Sequence, residues 1–171
     1  LLNTARCASV AAGRYIKAMA GQAHPVGSKG YANHASDVVT AVDLYAQELI
    51  LHHLKPTIAR YDLGLLAEEG DQDESRLNRH AFWTIDPLDG TQHFIERATG
   101  YATSIALVKR DGTPLLGVVY DPVHDALYEA VAGQGVSING APMPPMAQPK
   151  DTDRVTWFAD VSLKRHPDFS R

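Results

Sequence analysis

The chain has 171 residues, 44% hydrophobic and 21% charged, which suits a packed domain and excludes the disordered class. Its formal net charge of -4 gives no reason to expect nucleic acid as a partner, and no apolar run is long enough to span a bilayer. Arg6, Arg14 and Lys17 are spread along the first segment rather than gathered before an apolar block, so that segment does not read as a secretory signal.

Residues 1 to 20 read as a helix, because Ala5, Ala8, Ala12, Ile16 and Met19 recur at three- and four-residue spacing. Cys7, the single cysteine, sits on this helix. No internal disulfide can form, a reducing cytoplasmic setting is expected, and Cys7 reads as a small apolar residue rather than a nucleophile. Gly21 is a stop signal, and residues 22 to 36, with Pro25, Gly27 and Gly30, read as a loop. A second helix is expected from about Thr40 or Asp43 to Leu54. Val42, Tyr45, Leu49 and the Ile50–Leu54 end supply its buried side, and Pro56 ends it.

The period then changes. Leu63–Ala67 reads as a strand running into Glu68-Glu69-Gly70, followed by an acidic loop whose Asp73-Glu74-Ser75 is surface charge. Ala81–Ile85 is a second strand, running into Asp86-Pro87-Leu88-Asp89-Gly90-Thr91, with a short helix expected from Thr91. Strands of about 102 to 109, 115 to 120 and 126 to 132 follow in meander spacing, with turns at Asp111-Gly112 and Asp121-Pro122. Val136–Ile138 and Asn139-Gly140 add a short strand and turn, and Arg154–Ala159 a last strand. Residues 141 to 153, with four prolines, are the one plausible linker. The class is therefore α+β, with N-terminal helices packed on a mainly antiparallel sheet. The expected division is a lobe over residues 1–153 and the start of a second lobe over 154–171. The chain begins at Leu1 and stops at Arg171, just after Pro167–Ser170, which reads as a helix start; both ends are expected to be cut.

The chemistry lies in two acidic clusters at the ends of neighbouring strands, Glu68-Glu69 and Asp86 with Asp89. Bringing such carboxylates together is costly unless a cation neutralises them. All-oxygen ligation, with no second cysteine and no paired histidine, selects a hard ion, Mg²⁺ or Mn²⁺. Gly90-Thr91 supplies the other half, since a glycine lets backbone N–H groups approach a ligand and a helix starting there favours an anion such as phosphate. A metal held beside a phosphate is what phosphoryl transfer to water requires. Glu68-Glu69 alone would read as a solvated loop and Asp-Pro alone as a turn; the combination carries the inference.

These residues are where a resemblance appears. Asp86-Pro87-Leu88-Asp89-Gly90-Thr91 is similar to the DP(I/L)DGT signature of the inositol monophosphatase superfamily. Leu66–Gly70 resembles its upstream paired-glutamate segment, and Asp37–Asp43 its D-x-V-T-x-x-D segment. Thr103–Leu107 and Gly117–Tyr120 resemble the strands after the signature. The resemblance implies the first lobe of a layered αβαβα sugar-phosphatase fold. It implies a Mg²⁺-dependent (Mn²⁺ possible) phosphate monoester hydrolase acting on a small phosphorylated metabolite, and a homodimer when full length. It assigns metal ligation to Glu68, Asp86, Asp89 and the Leu88 carbonyl, and water activation to Glu68 with Thr91. Asp43 would support a further metal or its water shell, and Asp89 with the amides of Gly90 and Thr91 would support the phosphate.

Two departures qualify it. The family's Trp-Asp metal motif is absent, the tryptophans being Trp83 and Trp157, and a family lysine before the second helix has no clear counterpart, Lys29 being the nearest. Activity of this chain alone is therefore expected to be poor. After Thr91, Phe94-Ile95 and Arg97 lean toward the branch acting on 3′-phosphoadenosine 5′-phosphate, while Gln92-His93 leans to neither branch, so both substrate readings stay open. Fructose-1,6-bisphosphatase is a distant third. His93 reads as an ordinary helix-surface histidine. The non-enzyme alternative is a truncated or inactive metal-binding homologue.

Overall fold

The structure is a computed structural model; it describes residues 1–22, 26–28, 38–70 and 74–144, with the backbone alone for 26–28 and 38–40. The first helix, α1, spans Leu2–Met19 and buries Ala5, Ala8, Ser9, Ala12, Gly13 and Ile16. The small residues on that stripe let it approach the sheet closely. A Cβ on Gly13 would lie 2.3 Å from the ring of Tyr120, so glycine is what the crossing allows. Two short strands, β1 (Val26–Ser28) and β2 (Val38–Thr40), pair antiparallel and lead into α2 (Ala41–Tyr61).

Helix α2 departs from expectation in two ways. Its buried stripe is Val42, Asp43, Ala46, Ile50 and Leu54, whereas Tyr45 is 47% exposed and meets Tyr15 with ring centroids 4.6 Å apart. Strict four-residue spacing keeps 42, 46, 50 and 54 on one line, and Tyr45 lies off it. The helix also runs through Pro56 instead of ending there. An interior proline costs about 3 kcal/mol in a helix, largely through the bond it removes from the carbonyl four residues back. Here that residue, His52, is exposed, on the side of α2 away from the core. Beyond Pro56 the next turn is anchored: Thr57 Oγ1 donates to the Leu54 carbonyl at 2.7 Å and accepts from the Trp83 indole N–H at 3.0 Å.

Then follow β3 (Gly64–Ala67), a one-turn α3 (Ser75–Asn78) inside the stretch expected to be loop, β4 (Ala81–Asp89) and α4 (Thr91–Ile95). The rest is a meander of β5 (Ala102–Lys109), β6 (Pro114–Asp121), β7 (Ala126–Val131), β8 (Gly135–Ile138) and β9 (Ala141–Pro142). The seven strands lie in sequence order; β3 is parallel to β4 and every later pair is antiparallel. The α+β expectation holds, with β4 extending into the signature as far as Asp89.

The core lies between α1, α2 and one sheet face. Trp83, Leu107 and Leu116 form one row across β4, β5 and β6, and Ile85, Ile105 and Val118 the next. Away from the site, Arg6 on α1 makes a two-point ion pair with the buried Glu129 of β7, one contact being Nη2 to Oε2 at 3.0 Å. No helix among the described residues is long and apolar enough to cross a membrane. Lys29, Asp37 and the expected strand and lobe from 154 onward lie outside the described residues.

The Trp83–Thr57 bond makes a stability prediction. Trp83 is fully buried, so Thr57→Val leaves its N–H without an acceptor and is expected to cost about 1–3 kcal/mol, while Thr57→Ser costs less. Chemical denaturation followed by Trp83 fluorescence checks it; equal midpoints for all three proteins would show that the bond contributes nothing.

Candidate functional site

Parallel pairing brings the acidic clusters to one sheet edge. The last paired residues are Ala67 and Ile85, and the Glu68 N–H then donates to the Ile85 carbonyl at 3.1 Å. Both strands run the same way, so Glu68 and Asp86 leave the sheet at the same end. The two glutamates then separate. Glu68 is exposed at the edge, and its carboxyl is hydrogen-bonded to that of Asp86. Glu69 is buried, 5% exposed, and Gln47 of α2 pairs with its backbone on both sides, at 2.7 and 3.0 Å.

Asp86 carries the electrostatic signature of the site. Partial burial, then the hydrogen bond to Glu68, then the charges of Glu68 and Asp89, push its pKa from 3.8 up to about 8; the Leu88 N–H works the other way. Asp86 so placed keeps its proton to a higher pH than an ordinary carboxylate does. Among the described residues no group of three or more Asp, Glu, His or Cys forms a ready-made metal cage. What is present is an all-oxygen donor set whose mutual repulsion a hard divalent cation would relieve.

From Asp86 to Asp89 the ladder with β5 is irregular, and the chain there is pinned at each peptide. The Leu88 N–H donates to Asp86 Oδ1 at 3.1 Å. The Pro87 carbonyl accepts from the buried Thr103 hydroxyl at 3.1 Å. Thr91 Oγ1 lies 3.0 Å from both the Leu88 carbonyl and Asp43 Oδ1, so one hydroxyl proton is shared between two acceptors. Asp43, 1% exposed on α2, thus belongs to the Thr91 end of the site. Asp89 is exposed beside it.

Gly90 is required twice over. It adopts φ +87, and a Cβ there would sit 2.6 Å from the Gly100 carbonyl. Phe94, the buried residue of α4, packs edge-on against Tyr101 at 5.5 Å and holds that loop over the turn. Since α4 has five residues, its dipole is small, and any anion held here is held by local N–H groups. His93 is exposed on α4, as expected. Sequence reasoning missed Gln47 and Thr103. Gln47 was accessible, lying one helical turn after Asp43; Thr103 was not, because its partner depends on the irregular register.

Two predictions follow from this geometry. Gly90→Ala combines a left-handed backbone with a backbone clash and is expected to cost about 2–4 kcal/mol. Gly112→Ala, at φ +89 with open space around it, is expected to cost about 1–2 kcal/mol; equal losses in denaturation would remove the clash from the account. The second concerns pH. Between 3.8 and about 8 the folded chain binds Asp86's proton more tightly than the unfolded chain does, so this group's contribution to stability falls as pH rises through that window. In a chelator, melting temperature is expected to drop between pH 5 and 8 more steeply for wild type than for Asp86→Asn; parallel curves would contradict it.

Comparison with known proteins identifies the family. The model of the inositol monophosphatase family matches residues 1–171. An inositol-1-monophosphatase of Bacillus subtilis is 30% identical over 116 residues, covering 68% of this chain and 43% of that protein. The 3′(2′),5′-bisphosphate nucleotidase CysQ of Shigella flexneri is 41% identical over 97 residues, covering 56% and 38%. Among solved structures, the extragenic suppressor protein suhB of Bartonella henselae superposes with a TM-score of 0.72 at 31% identity, over 85% of this chain and 54% of that one. The chain thus spans about two fifths of the length of the curated relatives it matches. With its family model matching residues 1–171, this chain belongs to the inositol monophosphatase family.

Proposed function

We propose that this chain contributes the cation- and phosphate-binding part of a phosphate monoester hydrolase. The observation that carries it is the convergence of Glu68, Asp86 and Asp89 at one strand edge, beside a Thr91 hydroxyl tied to Asp43. A hard divalent cation, Mg²⁺ or Mn²⁺, would be held by these three carboxylates and the Leu88 carbonyl, with Asp43 supporting a further ion or its water shell. When bound it supplies charge neutralisation and polarises the phosphoryl oxygens.

The chain's own residues then have distinct tasks. Thr91 directs its proton at Asp43 Oδ1 and the Leu88 carbonyl, which leaves its oxygen lone pairs to accept a hydrogen bond from the attacking water. Glu68, the exposed member of its pair, would take that water's proton. Asp89 and the amides after Gly90 orient the phosphate. The buried Asp43 keeps the Thr91 hydroxyl in one orientation.

The substrate is a small phosphorylated metabolite, inositol monophosphate in type. A second reading, a 3′(2′),5′-bisphosphate nucleotidase, is favoured by the higher identity to the Shigella CysQ, 41% against 30%, and by Phe94-Ile95 and Arg97 after the signature. Mg²⁺-dependent phosphate release from inositol 1-phosphate and from 3′-phosphoadenosine 5′-phosphate separates the two. Asp89→Asn removes a charge from both halves of the site and is expected to lower the rate about a thousandfold, or about 4 kcal/mol of barrier, with the fold intact. A rate within tenfold of wild type would show that this cluster is not where the chemistry occurs.

A further inference from the structure

Helix α2 reaches both halves of the site from one face. Asp43 and Gln47 are four residues apart, so their side chains leave the helix on the same side. Asp43 meets Thr91 Oγ1 at 3.0 Å. Gln47 makes two bonds to one residue: Nε2 donates to the Glu69 carbonyl at 2.7 Å and Oε1 accepts from the Glu69 N–H at 3.0 Å. That is the donor and acceptor pattern a neighbouring strand would present, supplied by a side chain where the β3–β4 ladder stops.

The consequence falls on Glu68. Its own N–H is tied to the Ile85 carbonyl at 3.1 Å, and the next N–H is tied to Gln47. Both peptide planes flanking the Glu68 Cα are therefore held, which fixes the direction in which its side chain leaves the backbone. The Glu68 side chain then completes the approach through its hydrogen bond to Asp86. Gln47 and the Glu69 backbone are partly buried, so water competes weakly for these bonds.

We propose that Gln47 is a positioning residue for Glu68, setting how its carboxylate meets Asp86 and Asp89. Through Asp43 and Gln47, one turn of α2 would then hold the glutamate segment and the Asp89–Thr91 segment at a set spacing. This rests on the reading of Glu68 as a cation ligand.

The test uses Gln47→Leu, which removes both bonds, and Gln47→Glu, which keeps the acceptor for the Glu69 N–H; Asp89→Asn serves as control. Hydrogen exchange at the Glu69 amide, Mn²⁺ affinity by titration calorimetry and melting temperature are measured for each. Expected for Gln47→Leu are Glu69 exchange faster by about tenfold, Mn²⁺ affinity weaker by about ten- to a hundredfold, and a melting temperature within a few degrees of wild type. Gln47→Glu is expected to recover most of the affinity. If Asp89→Asn abolishes Mn²⁺ binding while Gln47→Leu leaves it unchanged, the positioning role is wrong and the cation site stands. If wild type binds no Mn²⁺, or Asp89→Asn does not weaken binding, the cation reading fails and the proposal with it.

Discussion

The approach of Glu68 to Asp86 at the ends of two parallel strands is the contact on which the site depends. Two like unit charges about 4 Å apart repel by about 4 kcal/mol at an effective dielectric near 20. A fold selected for stability alone would separate them. Here the chain joins them by a side-chain hydrogen bond, with Asp86 half-buried and Asp89 adding to the same field. The parallel pair imposes this, because an antiparallel β3 would carry its trailing glutamates to the opposite edge. Among the described strands the one parallel pairing is the one that assembles the carboxylates.

Such a cluster survives because most of the hydrophobic layer lies away from it. The rows Trp83–Leu107–Leu116 and Ile85–Ile105–Val118 lie further along the sheet, covered by α1 and α2. Repulsion at the edge is local, while burial of those rows is contributed by many side chains. The helices have a double duty. The stripe Val42, Ala46, Ile50 and Leu54 seats α2 on the core, and the adjacent Asp43 and Gln47 touch the site. Any tilt of α2 that preserved its packing poorly would misplace both contacts together, so core packing and site geometry are one constraint.

Much of this was legible in the sequence. Alternating apolar residues gave β4 to β7, the Ala5–Ile16 stripe gave α1, and carboxylates before glycines gave the cluster. What was hidden has particular causes. Pro56 reads as a helix end locally, yet Thr57 and Trp83, 26 residues apart, hold the next turn in place. Tyr45 is apolar enough to be expected inside, but four-residue spacing puts Ala46 there. Local sequence also says nothing about which of Glu68 and Glu69 turns inward; that follows from the strand's pleat and from Gln47 waiting on α2. Thr103 is the extreme case, since its role exists only through the shifted register at Asp86–Asp89.

The site's charges also order its ligands. In the proposed reading a phosphate monoester brings close to two negative charges to a place that already holds the carboxyl groups of Glu68, Asp86 and Asp89. Against that repulsion a five-residue helix offers little: end-of-helix effects are worth about 0.3–1 kcal/mol and fade within a turn. The glycine turn at Gly90 contributes geometry, a close backbone approach, more than charge. Protonating Asp86 removes one charge and leaves the others. A divalent cation offsets two of these charges where a proton on Asp86 offsets one, so in the proposed reading the cation is bound before or together with the substrate. In that reading the carboxylate cluster is a cation site that becomes a phosphate site, with Thr91 and Gly90 shaping the second state but unable to create it alone.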